Sequence, residues 1–290
     1  MCVTCGCSDD AHVTIAHLQP ETGEPASSAA ATHTHVLADG TIVTHTHSHD
    51  PHPADRGSAS EPAHLHAQIH RTTLTVEQNL LAKNDLIAAE NRGWLKGRNT
   101  LALNLVSSPG SGKTTLLTRT IQDLQTEIPI AVIEGDQETL NDARRIQATG
   151  CPVVQINTGT GCHLEAAMVQ RGLQELNPPL HAIVLIENVG NLVCPALFDL
   201  GEQAKVVILS VTEGEDKPIK YPHMFRASDV MVLTKTDLLP YVPFEVDRCL
   251  DYARQVNPQM QIFQVSAIAG TGLDAWYDWL RQTWQRLKTA

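Results

Sequence analysis

Lys113 and Thr114 follow two closely spaced glycines, Gly110 and Gly112, in the segment SSPGSGKTT (107–115), which comes directly after an apolar run. A phosphate group is held by backbone N–H donors converging at a helix N-terminus, so the chain there must approach the anion closely. Gly110, Ser111 and Gly112 permit that approach, Lys113 supplies positive charge, Thr114 offers a hydroxyl to Mg2+, and Thr115 continues into the helix. Ser107 stands where the usual GxxxxGK[ST] spacing has its first glycine. Two carboxylates end later apolar runs, Asp136 in VIEGDQ and Glu187 in VLIENVGN. In an open parallel sheet both would face the phosphate crevice, where either can reach Mg2+ directly or through water. Lys113, Asp136 and Glu187 are therefore the candidate catalytic groups, with Asp136 expected to position the attacking water.

A third set would read the base. Thr234, Lys235 and Asp237 end another apolar run, and Ser266 and Ala267 lie one run later. A carboxylate accepting from guanine N1 and N2 favours GTP, because adenine would leave it desolvated and unpaired. The pattern resembles the GTPase [NT]KxD signature with its SA loop. Thr234 in place of the commoner Asn weakens the contact expected near guanine N7.

Two cysteine constellations remain. Cys2, Cys5 and Cys7 pack three thiols into six residues, with Gly6 permitting a tight turn and the terminal amine nearby. Such a group suits a soft or borderline metal, or alternatively redox chemistry. Cys162 and His163 adjoin a helical stretch, HLEAAMVQRGLQEL, which they are expected to open, and Cys194 lies just past Glu187. Two adjacent donors and a third on another element suit Zn2+ or Ni2+, the alternative being buried thiols and a helix-capping histidine.

The elements that must position these groups are legible as seven apolar runs: 101–107, 128–136, 152–157, 181–188, 205–211, 229–235 and 261–267. Runs that are apolar almost throughout, separated by amphipathic stretches, predict a parallel sheet covered on both faces, an α/β fold over 73–290. A preceding helix is predicted from residue 73, with Val76, Leu80, Leu81, Ile87 and Ala88 on one side and an end at Gly93 or Gly97. Composition breaks near residue 70. The first 70 residues hold eleven of the 14 histidines, eight acids and one basic residue, a net of −7 within the total of −11. Their few large apolar groups predict an extension, 8–72, that is mostly disordered, with a small hairpin around Asp39-Gly40. The acidic balance argues against nucleic acid as a partner. No apolar run of membrane-spanning length and no signal peptide are present, so a cytoplasmic, membrane-free protein is expected.

Taken together, the terminal CxxCGC (1–7), the histidine-rich extension, SSPGSGKTT, EGDQ, GCHLEA, ENVGNLVCPA and EGEDKPIKYP resemble the nickel-incorporation GTPases of hydrogenase maturation, the HypB family. The resemblance implies a P-loop NTPase of SIMIBI type that binds GTP, Mg2+ and Ni2+ or Zn2+. It implies a homodimer working with a HypA-type nickel metallochaperone on the [NiFe]-hydrogenase large-subunit precursor. Carried over by position, Cys2, Cys5 and Cys7 would form a tight nickel site, and Cys162, His163 and Cys194 a metal site at the dimer interface. Rival readings are a urease accessory GTPase, a small-molecule P-loop kinase, and a nickel-storage protein with a vestigial nucleotide site. GCHLEA, CPA and CxxCGC favour the hydrogenase branch, while a kinase has no use for a base-reading TKxD.

Overall fold

The computed structural model of the chain describes the backbone of residues 62–289 apart from 138–139, three short strands ahead of it, and side chains from residue 78. Cys2, Cys5 and Cys7 lie outside the described residues, as does most of the histidine-rich extension. Within that extension the strands β2 (Thr34–Val36) and β3 (Ile42–Thr44) pair antiparallel across Asp39-Gly40, the expected hairpin. The hairpin belongs to a compact unit of its own, Gln19–Thr75, separate from the unit that carries the sheet.

Helix α1 (Pro62–Gly97) begins ahead of the expected residue 73 and runs through Gly93 to end at Gly97. Leu95, fully buried, anchors the last turn past Gly93, and Thr100 N–H closes the end on the Leu95 carbonyl. The buried stripe is Asn84, Ala88, Asn91 and Leu95, whereas Leu80 is exposed. Two asparagines thus stand where apolar spacing would look for aliphatic groups, because their amides have carbonyl and N–H partners to meet.

The seven expected strands form one parallel array: β4 (Leu101–Ser107), β5 (Ile130–Asp136), β6 (Val153–Asn157), β7 (Ile183–Gly190), β8 (Ala204–Ser210), β9 (Val230–Thr234) and β10 (Gln261–Gln264). An eighth, β1 (Thr14–Ala16), adds antiparallel to β6, so the order is β1-β6-β5-β7-β4-β8-β9-β10. Every residue of β4, β8 and β9 is buried, as expected of central strands covered on both faces, while edge strand β10 is partly exposed.

Alternate residues of each strand feed opposite cores. Leu101, Leu103, Leu105, Ile183 and Leu185 pack with α2 (Lys113–Leu124) and α8 (Leu273–Thr289). Ala102, Val184 and Ile186 face α1 and α4 (Ala166–Leu176), and Val106, Val207 and Met231 face α6 (Pro222–Ala227) and α7 (Val246–Val256). Helix α3 (Asn141–Gln147) follows β5, and the short α5 (Lys217–Lys220) follows β8. No helix among the described residues is long and apolar enough to cross a membrane.

Candidate functional site

Strand β4 lies between β7 and β8, and the chain order reverses there, so a crevice opens beyond its C-terminal end. The segment 107–115 lies in that crevice. Gly112 caps α2 at φ 91°, and Gly110 has φ 75°, left-handed conformations that glycine adopts without strain. The resulting cleft, about 540 Å3, is lined by Ser108–Thr115 on one side and Glu134, Asp136, Glu187 and Lys235 on the others.

Glu187, buried in β7, is the hub: its Oε1 accepts from Lys113 Nζ at 2.9 Å and from Thr114 Oγ1 at 2.6 Å. Its Oε2 makes no hydrogen bond, nor do the buried Ser111 Oγ and Glu134 Oε2. Buried oxygens left in this state carry a desolvation cost that a cation or an incoming donor would relieve. Glu134 pairs in register with Glu187 across β5 and β7. Burial first, and then the neighbouring carboxylates Glu187 and Asp136, push its carboxyl up to about 9, against the opposing charge of Lys113. Sequence reasoning passed over Glu134 because it sits inside an apolar run. Asp136 ends β5 on the cleft wall, accepting from Gln137 N–H at 2.8 Å. Arg145, also unforeseen, reaches Thr115 Oγ1 at 3.2 Å from α3.

Of the third set, Lys235 lines the cleft. Lys235, left-handed at φ 58°, turns its Nζ to the Gly110 carbonyl at 2.7 Å. Asp237 accepts from Ser266 Oγ, and Arg119 on α2 holds the Ala267 carbonyl at 3.0 Å. Thr234 is buried, and its hydroxyl donates to the Ser111 carbonyl at 2.6 Å. The contact expected near guanine N7 is thus replaced by a brace between β9 and the glycine-rich loop.

Beyond the ends of β6 and β7, Cys162, His163 and Cys194 converge, with their donor atoms all within 4.8 Å of one another. The two sulfurs lie 3.1 Å apart, and Cys162 Sγ is 3.7 Å from His163 Nδ1. Cys162 and His163 do not open α4 as expected. They lie in the turn before its N-cap, Glu165, because Leu164 is drawn into the core and donates its N–H to Asn188. Cys194 begins a 3-10 turn, Cys194–Ala196. The His163 ring packs against Phe198 with centroids 4.0 Å apart, and burial pulls its imidazolium down to about 4. A neutral imidazole beside two thiols is a donor set for Ni2+ or Zn2+, with Nδ1 of His163 turned to the Cys162 sulfur and Nε2 3.8 Å from Glu165 Oε1.

A family model described as CobW/HypB/UreG, nucleotide-binding domain, matches residues 101–264. The hydrogenase maturation factor HypB of Escherichia coli (strain K12) is 48% identical over 287 residues, covering 97% of this chain and 98% of that protein. Among solved structures, the hydrogenase maturation factor HypB from Archaeoglobus fulgidus aligns with a TM-score of 0.66 at 38% identity, covering 70% of this chain and 99% of that one. HypB from Helicobacter pylori in complex with nickel aligns with a TM-score of 0.66 at 36% identity, covering 70% and 96%. By sequence over nearly its full length and by fold over the sheet, the chain belongs to the HypB family of hydrogenase maturation factors.

Proposed function

We propose that the protein is a metal-binding GTPase that delivers nickel for [NiFe]-hydrogenase maturation, with GTP binding and hydrolysis controlling dimerisation and metal transfer. The observation that carries this reading is strand β7. Its end holds Glu187 against Lys113 and Thr114, and the chain that follows brings Cys194 to within 3.1 Å of Cys162. A nucleotide triphosphate would lie on the loop 110–115, with Lys113 neutralising phosphate charge and Thr114, Asp136 and Glu187 holding Mg2+. Bound there, Mg2+ supplies charge to the phosphoryl group in flight. The unpaired Oε2 of Glu187 fits such a cation. Lys113 and the loop amides orient the phosphates, Asp136 positions water, and Asp237 with Ser266 selects guanine through Lys235 and Ala267 on either side.

Nickel is cargo, and zinc is an alternative occupant of the same donors. Cys162, His163 and Cys194 form the core site, and Cys2, Cys5 and Cys7 a second, N-terminal one. The division is 1–7 for that motif, 8–72 for the histidine-rich extension and 73–290 for the GTPase domain, with α1 running across the last boundary and β1 lying within the extension. A second copy, a HypA-type metallochaperone and the hydrogenase large-subunit precursor are the partners of a soluble, cytoplasmic protein. Lys113→Ala tests the reading: GTP turnover should fall by about 100-fold or more, and nickel-dependent hydrogenase activity in cells should fall with it. Normal maturation alongside an inactive GTPase would refute delivery timed by GTP.

A further inference from the structure

The residue after Glu187 faces the other way. Glu187 turns its carboxylate to Lys113 and Thr114, while Asn188, which also borders the cleft, turns its amide to Leu164 and Asn104, on the side of Ala102, Val184 and Ile186. Asn188 is 1% exposed, and every polar atom of its amide is used. One amide atom receives both Leu164 N–H at 3.1 Å and Val189 N–H at 2.9 Å, so that atom is the oxygen. The nitrogen donates to Asn104 Oδ1 at 3.1 Å. Asn104 in turn donates to Glu202 Oε1 at 3.0 Å, and Glu202 Oε2 accepts from Leu200 N–H at 2.7 Å.

The chain ends on a buried lysine. Lys205 lies 3.8 Å from Glu202 and donates to the carbonyls of Pro195 at 2.9 Å and Phe198 at 3.2 Å. Pro195 follows Cys194, and Phe198 packs on His163. One end of this network therefore grips the segment carrying Cys162 and His163, through Leu164, and the other grips the segment carrying Cys194. Asn188, at its Leu164 end, sits next to Glu187 on β7.

We infer that Asn188, acting with Asn104, Glu202 and Lys205, is the positioning residue that couples the nucleotide cleft to the Cys162–His163–Cys194 site. The inference rests on the proposed function, since it takes both sites as used. When a nucleotide with its cation draws Lys113 and Thr114 away from Glu187, the end of β7 is held by different partners. A shift there moves Asn188 with its neighbour, and the amide passes it to Leu164 on one side and to the Cys194 turn on the other. A buried network whose members are all satisfied changes arrangement as a unit, because breaking one bond leaves a desolvated group.

The test uses full-length protein with Cys2, Cys5 and Cys7 replaced by Ala, so that only the core site reports. Ni2+ affinity is measured by titration with GDP and with a non-hydrolysable GTP analogue bound, and the ratio of the two constants is the readout. The parent should show a ratio in the 5- to 150-fold range typical of coupled sites. Asn188→Asp keeps the acceptor for Leu164 and Val189 but loses the donor to Asn104, and Lys205→Met loses the grip on Pro195 and Phe198. Each should bring the ratio to within about twofold of unity while Ni2+ still binds. A merely structural role would weaken binding equally in both states and leave the ratio intact. If the parent ratio is large and either folded variant preserves it, the network is not the coupling device, though the proposed function stands. A parent ratio of unity would overturn both. Should one variant fail to fold, the other decides.

Discussion

Asp237 accepts from Ser266 Oγ, and Ser266 Oγ accepts from Ala269 N–H at 3.0 Å, so the carboxylate is fixed in orientation before any base arrives. Asp237→Asn should move preference from GTP toward xanthosine triphosphate, because an amide N–H2 can donate to the xanthine O2. Competition binding checks this, and wild-type protein that holds ATP as tightly as GTP would contradict the base assignment. Glu134 gives a pH prediction. Its folded value of about 9 lies above its ordinary value of 4.5, so between the two the unfolded chain is ionised while the folded chain keeps the proton. The folded state is then fully favoured below the lower value and loses stability as pH rises toward the upper one. Glu134→Gln should remove that loss, so in metal-free, nucleotide-free protein its Tm advantage over wild type should grow from about pH 5 to about pH 8. Parallel Tm profiles would contradict a neutral Glu134. At this scale the sequence named the groups better than their contacts. Lys113, Thr114 and Glu187 were legible as motif members, but the bond from the Thr234 hydroxyl to the Ser111 carbonyl was not. A motif string orders residues and leaves open which neighbour each side chain touches.

Helix α1 is fastened to the segments around Ala166 and Asp199 by polar groups as much as by packing. Asn84 accepts from Ala166 N–H at 2.9 Å and donates to the Asp199 carbonyl at 2.8 Å, and Asn91 donates to the carbonyls of Ala166 and Leu200. Arg92 meets both carboxylate oxygens of Asp199 at 2.7 Å. The close approach depends on Gly201, whose φ is 91° and where an added Cβ would lie 2.6 Å from the Ala88 carbonyl and 2.9 Å from Arg92 N. Gly201→Ala should therefore cost at least about 1 kcal/mol from backbone conformation alone, with the clash adding to it. The denaturant midpoint reports that loss, and an unchanged midpoint would show that α1 is not held as described. Strands were the most legible elements, since continuous burial of β4, β8 and β9 demands the unbroken apolar runs seen in the sequence. The buried face of α1 was not legible, because apolar periodicity cannot register Asn84 and Asn91. Nor was the start of α4, which is set by Leu164 entering a core and by an amide from a distant strand.

Across the whole molecule, β7 leads to both groups: Glu187 near its end meets Lys113 and Thr114, and the chain beyond it brings Cys194 to Cys162 and His163. The N-terminal thiols are far along the chain from both. Replacing Cys2, Cys5 and Cys7 with Ala should abolish the tightest Ni2+ binding while GTP turnover persists, as measured by nickel titration beside a phosphate-release assay. Undiminished tight binding would refute an N-terminal site. The composition break near residue 70 gave no sign that a strand before it, β1, would pair with β6. Pairing at a sheet edge depends on what the edge presents, and a three-residue strand leaves little pattern to read. Linkage offers the most direct test of two sites on one strand. In protein lacking the N-terminal thiols, the affinities for GDP and for a non-hydrolysable GTP analogue are measured with and without saturating Ni2+. Metal should change their ratio by the same factor by which the nucleotides change metal affinity. A nucleotide ratio unmoved by Ni2+, with the metal demonstrably bound at Cys162, His163 and Cys194, would contradict it.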